Sequence, residues 1–214
     1  MSKLRLDIST SLVGFVAGPD PTVEEPLGVG GEALHEWAYG LEVFRRRHGD
    51  EGGEVNVSND VMEESLAGVG ATIMGRNMFG GGPGPWGDEP WKGWWGDEPP
   101  FRMPVFVLTH HPRPPLEKTG TTFTFVTDGI EAALAQARDA AGGADVTIAG
   151  GADVAQQYLA AGLLDEMQVH VAPVLLGGGT RLFDRLGSNL PRVEQVKIVE
   201  APGVTHLKYR VVKG

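Results

Sequence analysis

Twice along this chain a short apolar run ends on glycine and gives way to a helical pattern. Ala71 to Met74 leads into Gly75-Arg76-Asn77-Met78-Phe79, and Val146 to Ala149 leads into Gly150-Gly151 and a helical stretch from Asp153 to Ala161. Short apolar runs bounded by turn signals read as strands buried on both faces. Strands that alternate with helices build a mainly parallel sheet with helices packed on both sides. Three more runs join this set. Lys3 to Ile8 alternates, with Leu4, Leu6 and Ile8 on one face, while Pro104 to Thr109 and Phe123 to Thr127 are continuous apolar strands. Glu166 to Leu176 reads as one long strand. Val193 to Glu200 and Val204 to Val212 read as a hairpin turned by Pro202-Gly203. The expected fold is α/β: a three-layer α/β/α arrangement, its central sheet mainly parallel and closed by an antiparallel C-terminal hairpin. One domain over 1–214 is expected.

Three helices should flank that sheet besides the one from Asp153. Glu32 to Arg47 places Leu34, Trp37, Leu41 and Phe44 at intervals of three and four, which is one buried stripe. A short helix carrying Val61, Met62 and Leu66 is expected to be capped by Asn59 or Asp60. Ile130 to Ala141 is amphipathic. Residues 80–100 are rich in Gly and Pro and hold four of the five tryptophans, Trp86, Trp91, Trp94 and Trp95, with no helical or strand period. That loop reads equally well as an aromatic wall over a planar ligand or as a small core that anchors the loop or contacts a second subunit.

Composition removes several chemistries. The formal charge is −10 with no extended basic cluster, which argues against nucleic acid as a partner. No cysteine is present, so disulfides, thiolate zinc sites and cysteine nucleophiles are excluded. No apolar run approaches a membrane span, and Asp7 interrupts any signal-peptide core, so a cytoplasmic location is expected. His35-Glu36 opens a zinc-protease pattern, but Tyr39 stands where the second histidine is needed, and no metal is expected. Gly28, Gly30 and Ala33 have a dinucleotide-like spacing without the preceding strand that it requires. There is no P-loop and no nucleophile elbow.

What remains is chemistry at strand ends. Backbone N–H groups at a helix start bind anions, and Arg76 stands where its guanidinium could fork onto a phosphate. Gly150 and Gly151 would let a pyrophosphate approach the backbone closely. Val107-Leu108-Thr109-His110-His111-Pro112-Arg113 ends a third strand, where Thr109, His110 and Arg113 could meet a ribose or its 2′-phosphate. Each segment can also be an ordinary tight turn, but a dinucleotide lies across several strand ends, so the three together favour one. Asp7, Ser9 and Ser11, under the tryptophan loop with Trp86, are the candidate substrate contacts. The small polar residues among them could equally be turn chemistry after the first strand.

Ser9-Thr10-Ser11-Leu12-Val13-Gly14-Phe15, Met74-Gly75-Arg76, Ile148-Ala149-Gly150-Gly151, Leu163-Leu164-Asp165-Glu166 and above all Ala172-Pro173-Val174-Leu175-Leu176-Gly177-Gly178-Gly179-Thr180 occur in an order that resembles the dihydrofolate reductase superfamily. The chain is most similar to the branch holding the reductase domain of bifunctional riboflavin-biosynthesis deaminase-reductases, over roughly Leu4 to Val212. The resemblance implies a dihydrofolate reductase-like fold, NADPH as cofactor and hydride transfer to a heterocyclic or ribosylamino-pyrimidine-type substrate. By it, Gly75, Arg76 and Asn77 contact the adenosine phosphates, with Arg76 facing the 2′-phosphate. Leu108, Thr109 and His110 line the adenosine end, and Gly150, Gly151, Ala152, Asp153 and Val154 cradle the pyrophosphate and nicotinamide. It also implies a cis Gly150–Gly151 peptide and a homodimer to which the strand around Val169 to Leu175 contributes.

Two departures leave the substrate half open. Val13 stands where that branch carries an aspartate, and only Glu32 and Glu36 are near the place of the carboxylate that assists pterin protonation. The catalytic residues are therefore unassigned. A pterin or dihydrofolate-type reductase, or a non-catalytic NADPH- or metabolite-binding protein, stays as an alternative.

Overall fold

The computed structural model describes residues 2–213 except Pro83, Glu89, Ser188 and Asn189. Its centre is a nine-stranded sheet. In chain order the strands are β1 (Leu4–Thr10), β3 (Val69–Gly75), β4 (Val105–Leu108), β5 (Leu116–Lys118), β6 (Thr121–Val126), β7 (Asp145–Gly150), β8 (Glu166–Val171), β10 (Arg192–Ala201) and β11 (Val204–Val212). They lie side by side as β10-β11-β8-β1-β7-β3-β4-β6-β5. The six strands from β8 to β6 are mutually parallel. The β10–β11 hairpin adds antiparallel strands at one edge and β5 adds one at the other. The remaining two strands, β2 (Phe15–Ala17) and β9 (Thr180–Arg181), form a small separate ribbon. This is the α/β fold with a mainly parallel sheet and a closing antiparallel hairpin that the sequence implies.

Alternation along the strands divides the interior in two. Leu4 and Leu6 of β1, Ile73 of β3 and Val146 and Ile148 of β7 pack against α5 (Gly129–Ala140) and α6 (Ala152–Ala160). On the opposite face Met74, Val105, Val107, Phe123 and Phe125 carry the tryptophan loop: Trp86, Trp91 and Trp95 pack against them. That face is covered further along by α1 (Glu36–Tyr39), α2 (Glu42–Arg47) and α3 (Val57–Leu66). The fourth helix in chain order, α4 (Arg76–Phe79), is a single turn after β3.

Three local expectations change. The helix read over Glu32–Arg47 is broken into a 3-10 turn (Gly31–Leu34), α1 and α2. Leu41 is extended there, and Glu42 N–H and Gly40 C=O turn to the backbone of Glu54. The apolar stripe survives the break, because Leu34 and Leu41 stay buried. The cap of α3 is Asn56, not Asn59 or Asp60. Its side-chain oxygen accepts from Ser58 N and Asn59 N, while Asn59 accepts from Val43 N. Finally, β8 stops at Val171 rather than near Leu176, since Pro173 lacks an N–H and Val174 N folds back on Ala172 O.

Candidate functional site

The C-terminal ends of β7, β3 and β4 lie in one register. Met74 is paired with Gly150, Gly75 with Leu108, and Leu108 with Val126 on β6. The glycine turns are thereby set side by side along one edge of the sheet. Gly75 has no room for a side chain, because a Cβ would come within 2.9 Å of Val154 Cγ2 on α6. Gly150 is at φ 142, and the Gly150–Gly151 peptide is cis. Helix α6 begins at Ala152 with no side chain capping it, so its first N–H groups face the turn. Asp153 in that first turn is exposed and lies 3.9 Å from Arg185. The helix start read at Arg76 is thinner: α4 ends after one turn at Gly80, and Asn77 is exposed.

At the β3–β4 end of this row two arginines lie over an indole. The Arg76 guanidinium stacks 3.1 Å above the Trp86 ring, and that of Arg113 lies 4.5 Å from it and 4.6 Å from the Phe125 ring. Arg76 donates to the carbonyls of Gly80, Gly81 and Gly82, and Arg113 to that of Trp91. The indole N–H of Trp86 donates to His111 O at 2.7 Å. No carboxylate among the described residues pairs with either arginine. Arg76 Nη1 and Arg113 Nε are shielded from water with no hydrogen-bond partner. Burial lowers the pKa of both guanidiniums, and for Arg76 the neighbouring charge of Arg113 adds to it. Thr109 is buried, its hydroxyl accepting from His111 N, and His110 faces solvent.

The β1–β8–β11 end is different. Asp7 Oδ1 meets His170 Nε2 at 2.9 Å, His170 Nδ1 meets His206 Nδ1 at 2.6 Å, and His206 Nε2 meets Ser58 Oγ of α3 at 3.0 Å. Asp7 Oδ1 accepts from His170 Nε2–H, one proton lies between the two Nδ1 atoms, and His206 Nε2 and the Ser58 hydroxyl share a third hydrogen bond. Trp37 packs on both imidazoles, ring centres 4.7 and 5.1 Å away, and its N–H donates to Ser9 Oγ. Burial would raise the Asp7 carboxyl, but the opposing charge and hydrogen bond of His170 outweigh it and hold the pKa below its ordinary value. Burial, reinforced by His170, pushes His206 and nearby His35 down to about 4. A cavity of about 20 Å³, room for about one water, opens beside Asp7 and is lined by Arg5, Ser65, Thr147, Gln168 and Lys208.

The residues read from the sequence thus fall into two groups. Gly75, Arg76, Asn77, Leu108, Thr109, Arg113, Gly150 and Gly151 come together along the strand ends, with Ala152, Asp153 and Val154 in the first turn of α6. Trp86 joins them at the arginine end, and β7 and β3 separate that end from β1 with Asp7 and Ser9. Ser11 serves the turn, its hydroxyl accepting from Phe15 N. Val13, Glu32 and Glu36 are exposed. Sequence reasoning did not assign a role to His170, His206 or Ser58, and named His35 only within an incomplete zinc-protease pattern. The available signal was a histidine inside each of two apolar strands, at positions whose alternation faces them away from Val169 and Leu207. No group of three metal-ligating side chains occurs among the described residues, and no described helix is long and apolar enough to cross a membrane.

Solved structures share this architecture. A protein from Shewanella sp. PV-4 described as a riboflavin biosynthesis protein matches at TM-score 0.63 and 22% identity, over 99% of both chains. A diaminohydroxyphosphoribosylaminopyrimidine deaminase/5-amino-6-(5-phosphoribosylamino)uracil reductase from Thermotoga maritima matches at TM-score 0.57 and 14% identity. There 99% of this chain aligns with 57% of the larger protein, so this chain spans little more than half its length. The dihydrofolate reductase of Enterococcus faecalis, complexed with NADP(H) and RAB-propyl, matches at TM-score 0.52 and 14% identity, over 99% of this chain and 97% of that one. At these identities the likeness speaks for the fold. No curated protein sequence matches the chain. The model of the RibD C-terminal domain, however, matches residues 2–207, nearly the whole length, and the chain belongs to the RibD C-terminal domain family.

Proposed function

We propose that this chain is an NADPH-dependent reductase acting on a heterocyclic substrate of the ribosylamino-pyrimidine type, in line with the reductase named for the Thermotoga relative. One observation supports this reading above the others. Three glycine or threonine turns stand in register along adjacent parallel strands, and the row ends at two arginines that have no carboxylate partner among the described residues. The residues present suit a phosphorylated dinucleotide. The open backbone at Gly151 and the uncapped start of α6 suit its pyrophosphate. The unpartnered nitrogens of Arg76 and Arg113 suit a phosphate at the adenosine end.

When bound, a reduced nicotinamide supplies a hydride to a C=N or C=O carbon. The protein's share is to orient the reactants and exclude water, which the glycine row and the tryptophan loop are placed to do. The exposed positions of Glu32 and Glu36 favour a pyrimidine-type over a pterin-type substrate, because neither carboxylate reaches into the sheet edge. A homodimer belongs to the same proposal.

The test is a titration with NADPH and NADH, followed by nicotinamide fluorescence, with Arg76→Ala alongside. NADPH should bind in the micromolar range and NADH at least about tenfold more weakly, a difference of about 1.4 kcal/mol. Arg76→Ala should erase the preference. If neither nucleotide binds, the glycine turns are structural and the reductase reading fails.

A further inference from the structure

Trp86 is set in the arginine end of the strand row in an unusual way. Two guanidiniums lie over its indole, that of Arg76 3.1 Å and that of Arg113 4.5 Å from the ring centre, so a second aromatic ring would have to displace one of them to stack there. The edges of the two guanidiniums are parked on the carbonyls of Gly80, Gly81, Gly82 and Trp91, neutral acceptors that leave Arg76 Nη1 and Arg113 Nε unmatched. The loop thus offers an aromatic plate where a base would stack and backbone oxygens where an anion would bind. Its other tryptophans have a separate task. Trp91 and Trp94 donate to Phe79 O and Met78 O, and Trp95 meets Phe101 edge-on and stacks along Phe123, so the loop base is anchored, while Trp86, held by its N–H bond to His111 O and edge contacts to Phe79 and Phe125, is the tryptophan that lies against the arginines.

We propose that Trp86 is a built-in occupant of a nucleotide slot. The indole fills the space against Arg76 and Arg113 that the base of an adenosine phosphate takes, and the nucleotide displaces it. This rests on the cofactor reading above. Two cation–π contacts stabilise the filled state. The nucleotide therefore binds only the fraction of molecules in which Trp86 has swung out, and its apparent affinity is reduced by that fraction. Arg76 and Arg113 exchange carbonyl partners for phosphate oxygens, and the base replaces the indole against them.

The probe is adenosine 2′,5′-bisphosphate, which carries base and phosphates without the nicotinamide. Protein labelled with 5-fluorotryptophan gives one fluorine resonance for each of its five tryptophans, and Trp86→Phe identifies the one from Trp86. On titration that resonance should move to the position of a solvent-exposed indole while the other four stay. By calorimetry Trp86→Ala should bind the bisphosphate roughly tenfold more tightly than wild type, with Trp86→Phe in between. Far-ultraviolet circular dichroism checks that both variants fold, and the fluorine measurement on wild type does not depend on the alanine variant. Binding that leaves the Trp86 resonance in place, or that weakens in Trp86→Ala, overturns the proposal and makes the indole part of the binding surface. If the bisphosphate binds neither wild type nor Trp86→Ala, the cofactor reading itself has failed.

Discussion

At the β1–β8–β11 end of the site Asp7, His170, His206 and Ser58 hydrogen-bond to one another, whereas at the β3–β4 end Arg76 and Arg113 donate to backbone carbonyls and have no carboxylate partner among the described residues. Both regions bury polar groups on the same face of the sheet. The first joins three strands and a helix, and its members are all protein groups. The second brings two like charges together and leaves a shielded nitrogen on each. A buried polar group without a partner costs about 1–3 kcal/mol, more when charged. At the histidine end Asp7 Oδ2 and His35 Nδ1 are likewise shielded without a partner, Asp7 beside a cavity with room for about one water, whereas at the arginine end the unmatched atoms belong to two cations. Under the proposed function the first network serves the fold and the second a ligand.

Breaking the histidine end should have the largest effect. His206 is 1% exposed and lies between two hydrogen-bonding partners. His206→Ala removes both bonds, leaves His170 Nδ1 and the Ser58 hydroxyl unmatched, and opens a cavity beside Trp37. Urea denaturation should register a loss of about 3–4 kcal/mol. A loss below about 1 kcal/mol would mean that the chain of hydrogen bonds is incidental.

Acid should strain the same end more gently. Folded His35 and His206 take up a proton only near pH 4, against an ordinary value of 6.5. Between those values the unfolded chain binds the extra protons, so stability rises with pH across the window and falls on acidification. Each histidine contributes up to about 3 kcal/mol. Asp7 works in the same direction, since its lowered folded value makes its contribution present at neutral pH and lost in acid. Denaturant midpoints measured from pH 7 to pH 4 should fall steadily, and His206→Gln should fall less steeply. Equal slopes would show that His206 is not neutral in the folded chain.

The two ends also differ in how far they can be read from the chain alone. Gly75 and Gly150-Gly151 announce themselves, because a buried strand, a glycine and a helical pattern are local neighbours. The order of the turns along the sheet edge follows once the strands are parallel. The histidine network is not local: Asp7 and His170 are 163 positions apart, and His170 and His206 are 36 apart. Only the register of β1 on β8 and of β8 on β11 brings them together. Likewise Trp86 sits in a loop without a period, and only the strand order, with β7 and β3 between β1 and β4, sets it apart from Asp7. The helix expected over Glu32–Arg47 shows the same limit in miniature. Its apolar spacing reports the buried face correctly, while the break at Gly40-Leu41 depends on a backbone pairing with Glu54.

The smallest expected effect is the one that tests the contrast most directly. Arg113→Met replaces a guanidinium that has no carboxylate partner among the described residues by an apolar chain of similar length. It removes the hydrogen bond to Trp91 O and the stacking on Trp86 and Phe125, each worth about 1 kcal/mol or less. It also removes the desolvation of Arg113 and its repulsion of Arg76, which act against the folded state. These terms oppose one another, so the denaturant midpoint should stay within about 1 kcal/mol of wild type, while binding of adenosine 2′,5′-bisphosphate should fall by at least about tenfold. A stability loss as large as that of His206→Ala, with binding intact, would place the arginines among the groups that hold the fold. The two ends of the row would then differ in composition but not in purpose.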